Sequence, residues 1–115
     1  MSQAEWAYDF TSSLPIAAIE AAFNEAGPWR WQLRDSDFYG DYLNCRPQEH
    51  VRLRVFEYPG IGLIQFAGLH SKGGYKALLE IDATSFATRQ EIDTVFRRLL
   101  HGIRAAQLTE VEPDV

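Results

Sequence analysis

At 115 residues, 46% hydrophobic and 13% aromatic, the chain has the length of one domain, 1–115, and enough apolar material for a core, which excludes a disordered tail. A net charge of −5 and an isoelectric point near 5.1 argue against a nucleic-acid binder, which needs a cationic surface to displace counterions from phosphates, and suit a soluble protein with a basic partner. A single cysteine, Cys45, excludes an intramolecular disulfide, no apolar run approaches the ~18 residues of a membrane span, and the opening MSQAEWAYDF lacks the basic start and apolar run of a signal peptide, so the expectation is a cytoplasmic protein with no membrane association.

Trp6, Tyr8 and Phe10 alternate with Ala7 and Asp9, the period of a half-buried strand. Thr11, Ser12 and Ser13 offer N-cap oxygens, and Pro15 suits a first helical turn. Ile16, Ile19, Phe23 and Ala26 share one helical stripe, and Gly27-Pro28 ends it, since glycine tolerates the left-handed C-cap and proline cannot continue the ladder. Trp29, Trp31 and Leu33 alternate with Arg30, Gln32 and Arg34 as a second strand. Asp35-Ser36-Asp37 breaks it, and Phe38 to Cys45 is a weaker strand because it carries Gly40 and Asp41. Val51, Leu53 and Val55 alternate with Arg52 and Arg54. The Pro59-Gly60 turn dipeptide and the strand character of Ile61 to Ala67 predict a hairpin over residues 50–67.

Ser71-Lys72-Gly73-Gly74 is a further turn, followed by a strand with Ala77, Leu79 and Ile81 on one side. Thr88 and Glu91 form a capping-box pattern ahead of Ile92, Val95, Phe96, Leu99, Leu100, Ile103 and Ala106, an apolar stripe that predicts a helix from about Thr88 to Ala106. Arg97, Arg98, His101 and Arg104 fall off the stripe, and Asp93 and Arg97 are spaced for a weak surface pair. Leu108 to Glu112 reads as a last short strand. Two strand-helix-strand units flanking a hairpin predict an α+β domain: a mostly antiparallel sheet of five to six strands with two helices on one face, in a ferredoxin-like, split β-α-β arrangement. The handedness of such crossovers puts both helices on the same face.

Alternation divides the sheet into an apolar face (Trp29, Trp31, Leu33, Val51, Leu53, Val55, Ala77, Leu79, Ile81) and a charged one (Arg30, Arg34, Arg52, Arg54, Glu80, Asp82). The charged face reads as a solvated lattice of cross-strand ion pairs, or as an anion- or partner-binding surface, since arginine forks match carboxylates and phosphates. The segment RDSDFYGDY places three aspartates and three aromatics within nine residues, a mixture suited to a protein interface, with Asp35, Asp37, Tyr39, Asp41 and Tyr42 as candidate partner-binding residues. It lacks the ligand spacing of a calcium loop.

His50, His70 and His101 show no zinc-ligand spacing, and no base is spaced to activate Cys45. No catalytic residue, metal or cofactor is therefore assigned. The tryptophans on the second strand read as core rather than as a base-stacking platform.

These features predict a non-catalytic binding protein, in its sharpest form a bacterial immunity or antitoxin-type protein that neutralises a basic toxin partner. The competing expectation is a small ferredoxin-like enzyme or small-ligand-binding protein acting as a homodimer, marked by a concave cavity with converging polar groups. A third is an assembly module that pairs through a sheet edge.

Overall fold

The computed structural model describes residues 3–36, 40–57, 74–82 and 86–111. Alternating aromatics build β1 (Gln3–Thr11), and the apolar stripe after Pro15 builds α1 (Ile16–Ala26). Four strands follow, β2 (Trp31–Ser36), β3 (Gly40–Cys45), β4 (Arg52–Glu57) and β5 (Gly74–Asp82), then α2 (Phe86–Gly102) and β6 (Ala106–Val111). Every neighbouring pair is antiparallel, in the order β2-β3-β4-β5-β1-β6. The class is thus α+β, with one six-stranded sheet and two helices among the described residues. β1 and β2 run parallel, as do β5 and β6, and each pair is joined by a helix. The second crossover spans one strand, as in a split β-α-β unit, but the first spans three, because β2 sits at the far edge and the chain returns strand by strand to β5.

Both helices lie on the same face. Ile16, Ile19 and Phe23 of α1 and Ile92, Phe96, Leu99 and Leu100 of α2 join Tyr8, Phe10, Trp31, Leu43, Leu53, Val55, Leu79 and Ile81 of the sheet in one buried cluster. Phe96 is fully buried at its centre. Its ring meets Tyr8 edge-on at 5.1 Å and lies 6.2–6.5 Å from Trp31, Phe23 and Phe10. The expected packing of Ile92, Phe96, Leu99 and Ile103 against Trp31, Leu53 and Leu79 is therefore present, with Trp29 half-buried at its margin. Leu33, assigned to the core by alternation, is 37% exposed, because it lies on the edge strand near the limit of α1's cover. Ala26, assigned to the helical stripe, is exposed at the end of α1.

Helix ends depart from the expected caps in informative ways. Pro15, not a serine or threonine, occupies the N-cap of α1, with no side-chain cap. Ser12 instead accepts from the Leu14 N–H (3.2 Å) and donates to the Ile103 carbonyl (3.3 Å), tying the start of α1 to the end of α2. Gly27 closes α1 at φ 65°, its N–H donating to the Phe23 carbonyl. Thr88 lies inside α2, which begins at Phe86, so it is not the N-cap. α2 ends at Gly102 rather than at Ala106: the Ala105 N–H reaches back to the Leu100 carbonyl and the Arg104 N–H to the His101 carbonyl, with Arg104 at φ 55°. This is a Schellman ending with arginine where glycine is usual. Ala106 is consequently the first residue of β6.

The expected strand Ile61 to Ala67, the turns at Pro59-Gly60 and at Ser71-Lys72-Gly73, and His70 lie outside the described residues. No helix among the described residues is long and apolar enough to cross a membrane.

Candidate partner-binding surface

The β2-β3 hairpin carries the aspartate-rich segment. Register sets Asp35 directly opposite Asp41, and both are exposed. Like charges facing each other across antiparallel strands are destabilising. One strand further on, Tyr42 pairs with Phe56, which places Glu57 beside Asp41. Burial, and then the Asp41 charge, hold the Glu57 carboxyl above its usual range. Glu57 in turn faces Tyr75, whose phenol is pushed up to about 12 by burial and by Glu57.

Asp35, Asp41 and Glu57 therefore form an acidic row across three strands. It lies on the helix-bearing face, at the strand ends that neither helix reaches. No arginine or lysine is ion-paired to these three carboxylates among the described residues.

The other expected site residues separate. Asp37 and Tyr39 lie outside the described residues. Tyr42 points to the opposite face, where its ring is half-buried and stacks on Phe56 at 5.4 Å. The structure thus groups Asp35 and Asp41 with Glu57, a residue that only strand register could bring to them. Tyr42 belongs to the far side of the hairpin.

The face opposite the helices departs from a solvated ion-pair lattice. Arg54 binds Glu80 at 2.5 Å, with the two side chains only 14% and 27% exposed, and it lies over the Phe56 ring at 5.4 Å. Phe56 is itself buried. Asp9 and Lys76 pair on the same face at 3.8 Å. Arg34 is exposed and donates to Gln32. Arg30 precedes β2 and is also exposed. The side chain of Asp82 lies outside the described residues.

A second charged cluster contains the expected Asp93–Arg97 pair, whereas its other members were not visible as a pattern. α2 presents Arg89, Asp93 and Arg97, one turn apart, to β1 and β6. Glu110 of β6 takes Arg89 on one oxygen and Arg97 on the other, the latter at 3.2 Å. Asp93 binds Arg97 at 3.0 Å and accepts the Tyr8 hydroxyl at 2.8 Å, while Arg89 covers the Trp6 ring at 5.2 Å. Burial raises the Tyr8 phenol, and the bond to Asp93 raises it further. Burial opposes the Arg97 charge, but Asp93 and Glu110 outweigh it and hold the guanidinium above its usual value. Every principal member is engaged within the network, which fastens β6 to α2 and presents no reactive group. Cys45 is equally unsuited to chemistry: it is buried, and burial pushes its thiol up to about 12, far from the thiolate a nucleophile needs.

The free edge of β2 is also closed. The Asn24 side chain accepts from the Trp31 N–H at 2.6 Å and donates to the Trp31 carbonyl at 3.1 Å, as a neighbouring strand would. Glu20, one turn earlier, accepts from the Leu33 N–H at 2.5 Å. Strand addition at this edge is thereby blocked. The acidic row lies just beyond the blocked stretch. No protein-family model matches this chain, and no curated protein matches it.

Proposed function

We propose that the protein is a cytoplasmic, non-catalytic binding protein that masks a basic protein partner, in the manner of an immunity or antitoxin protein, and that the acidic row Asp35-Asp41-Glu57 is the centre of the contact. One observation carries this reading: two carboxylates face each other across a strand pair, with a third beside them, and no basic side chain pairs with them among the described residues. Such an arrangement costs stability in the free protein and is relieved when a partner brings lysine or arginine against it. Asp37 and Tyr39 stand between Asp35 and Asp41 in the sequence and belong to the same proposed contact.

The test is binding to the product of the adjacent gene at low and high salt. Exposed charges are screened beyond ~8 Å at physiological ionic strength, so association slows with salt in the parent. Asp35→Asn and Asp41→Asn reduce both the association rate and its salt dependence, whereas Tyr39→Ala chiefly speeds dissociation. Parent-like binding by all three variants at both salt concentrations removes the hairpin from the interface.

A further inference from the structure

On the face of the sheet away from the helices, at the end opposite the acidic row, lies an open cleft of about 600 Å³ lined by Arg46, Gln48, Glu49, His50, Arg52 and Glu80. Its charges are unevenly satisfied. Register places Glu80 opposite Arg52, but the Glu80 carboxylate is held by Arg54 instead. Arg52 is left with a neutral partner: its Nε donates to Asn44 Oδ1 at 3.2 Å, which fixes the guanidinium, and its terminal amines make no ion pair among the described residues. Arg46 makes no ion pair among the described residues. Glu49 is almost wholly exposed and only approaches His50, at 3.8 Å.

The backbone adds an independent observation. The Val51 N–H donates to the Gln48 carbonyl at 3.1 Å, closing a tight turn with His50 as its third residue at φ 68°. That position of a type II turn calls for glycine or asparagine. Among the described residues, the other two non-glycine residues with positive φ, Arg104 and Gln107, are accounted for by the helix ending and by the register shift between β1 and β6. At His50 the unfavourable conformation sets an imidazole, rather than a hydrogen atom, at the rim of a cleft that holds two incompletely paired guanidiniums. Backbone cost retained at one residue of a polar cleft is a mark of a binding position.

We infer that this cleft binds a small oxyanion, with a phosphate group as the best match, through the forks of Arg46 and Arg52 and the ring of His50. Arginine forks take phosphate oxygens pairwise, and Asn44 orients Arg52 for that contact. The site is separate from the acidic row, and its test does not depend on the partner.

Inorganic phosphate is titrated into the isotopically labelled full chain at low salt, with backbone and arginine side-chain signals followed by NMR. Saturable shifts at Arg46, His50 and Arg52 are expected, and citrate should compete for the same signals if the site reads oxyanions in general. Arg46→Gln and Arg52→Lys each weaken binding about tenfold or more, the second because it keeps the charge but loses the fork. Arg34→Gln, an equal charge change at an exposed position on the same face, leaves binding unchanged. His50→Gly relieves the turn, so it raises the unfolding midpoint while weakening phosphate binding. Non-saturable shifts, or equal weakening by Arg34→Gln, would overturn the site and leave only a diffuse charge effect. A His50→Gly protein that binds phosphate like the parent would remove the imidazole from it.

Discussion

Replacing Phe96 with alanine tests the packing of the whole molecule at one point. The ring is fully buried and stands between both helices and the sheet. It touches Tyr8 edge-on at 5.1 Å, with Phe10, Phe23 and Trp31 within 6.5 Å. Emptying an aromatic core position costs ~3–5 kcal/mol, and each well-oriented aromatic pair contributes ~0.5–1.5 kcal/mol beyond its buried area. Four aromatic neighbours, spread over two strands and the other helix, cannot all move into the vacated space. The cost for Phe96→Ala should therefore fall in the upper half of that range, about 4–5 kcal/mol, a large share of the ~5–15 kcal/mol that holds a typical domain together. Urea unfolding followed by tryptophan fluorescence is suitable, because Trp31 reports from beside the cavity. Phe96→Leu, which keeps most of the volume, should lose markedly less. A loss under ~1.5 kcal/mol for the alanine variant, with an unchanged denaturant slope, would mean that the two helices do not meet the sheet through this ring.

Other consequences are equally measurable. Glu110→Gln leaves Arg89, whose side chain is 13% exposed, without its carboxylate. Breaking a buried ion pair costs ~3–5 kcal/mol, and the partial exposure of Glu110 reduces the expected loss to ~2 kcal/mol in chemical denaturation; a double cycle with Arg89→Met should recover part of it. Arg104→Gly places glycine at the left-handed C′ position of α2 and should raise stability by ~0.5–1 kcal/mol, read as a higher melting temperature. Asp41→Asn should stabilise the free protein by up to ~1 kcal/mol at neutral pH while weakening binding of the proposed basic partner. Glu57 sets a pH dependence. The folded protein holds the Glu57 proton more tightly than the unfolded chain, so the favourable contribution is complete below the usual carboxylate value and is lost as pH rises through the raised one. Asp41→Asn should flatten that decline in unfolding curves taken from pH 4 upward.

Local periodicity carried much of this fold. Tyr8, Phe10, Leu53, Val55, Ala77, Leu79 and Ile81 repeat every second residue and lie on one face. Ile92, Phe96, Leu99 and Ile103 repeat at helical spacing and meet them. Such patterns are legible because one continuous apolar surface selects them. Helix ends were less so: Arg104 occupies a position where residue preference points to glycine, and α2 therefore stops four residues before its apolar stripe does. Ile103 is still buried beyond the last helical turn, whereas Ala106, the first residue of β6, is exposed. Burial outlasts the helix, and periodicity alone cannot distinguish the two.

The polar groups followed a different rule. Asn24 and Glu20 look like ordinary solvent-facing helix residues, yet they close the edge of β2, since α1 crosses three strands to reach it. Arg89, Asp93 and Arg97 look like a charged outer face, yet they meet Glu110 because β6 extends the sheet beneath them. In both cases the meaning of the side chain depends on which strand lies at the edge, and strand order is a long-range property. The aspartate cluster shows the same division. Its density was evident along the chain. That Asp35 faces Asp41, that Glu57 completes the row, and that Tyr42 turns to the other face follow from register alone. A shift of one residue between β2 and β3 would turn the side chains of β2 to the other face, setting Gln32 and Arg34 beside Leu43 and exposing Trp31. The core thus fixes the register, and the register leaves Asp35 opposite Asp41: the close packing of Trp31 enforces an electrostatic cost that a basic partner is suited to relieve.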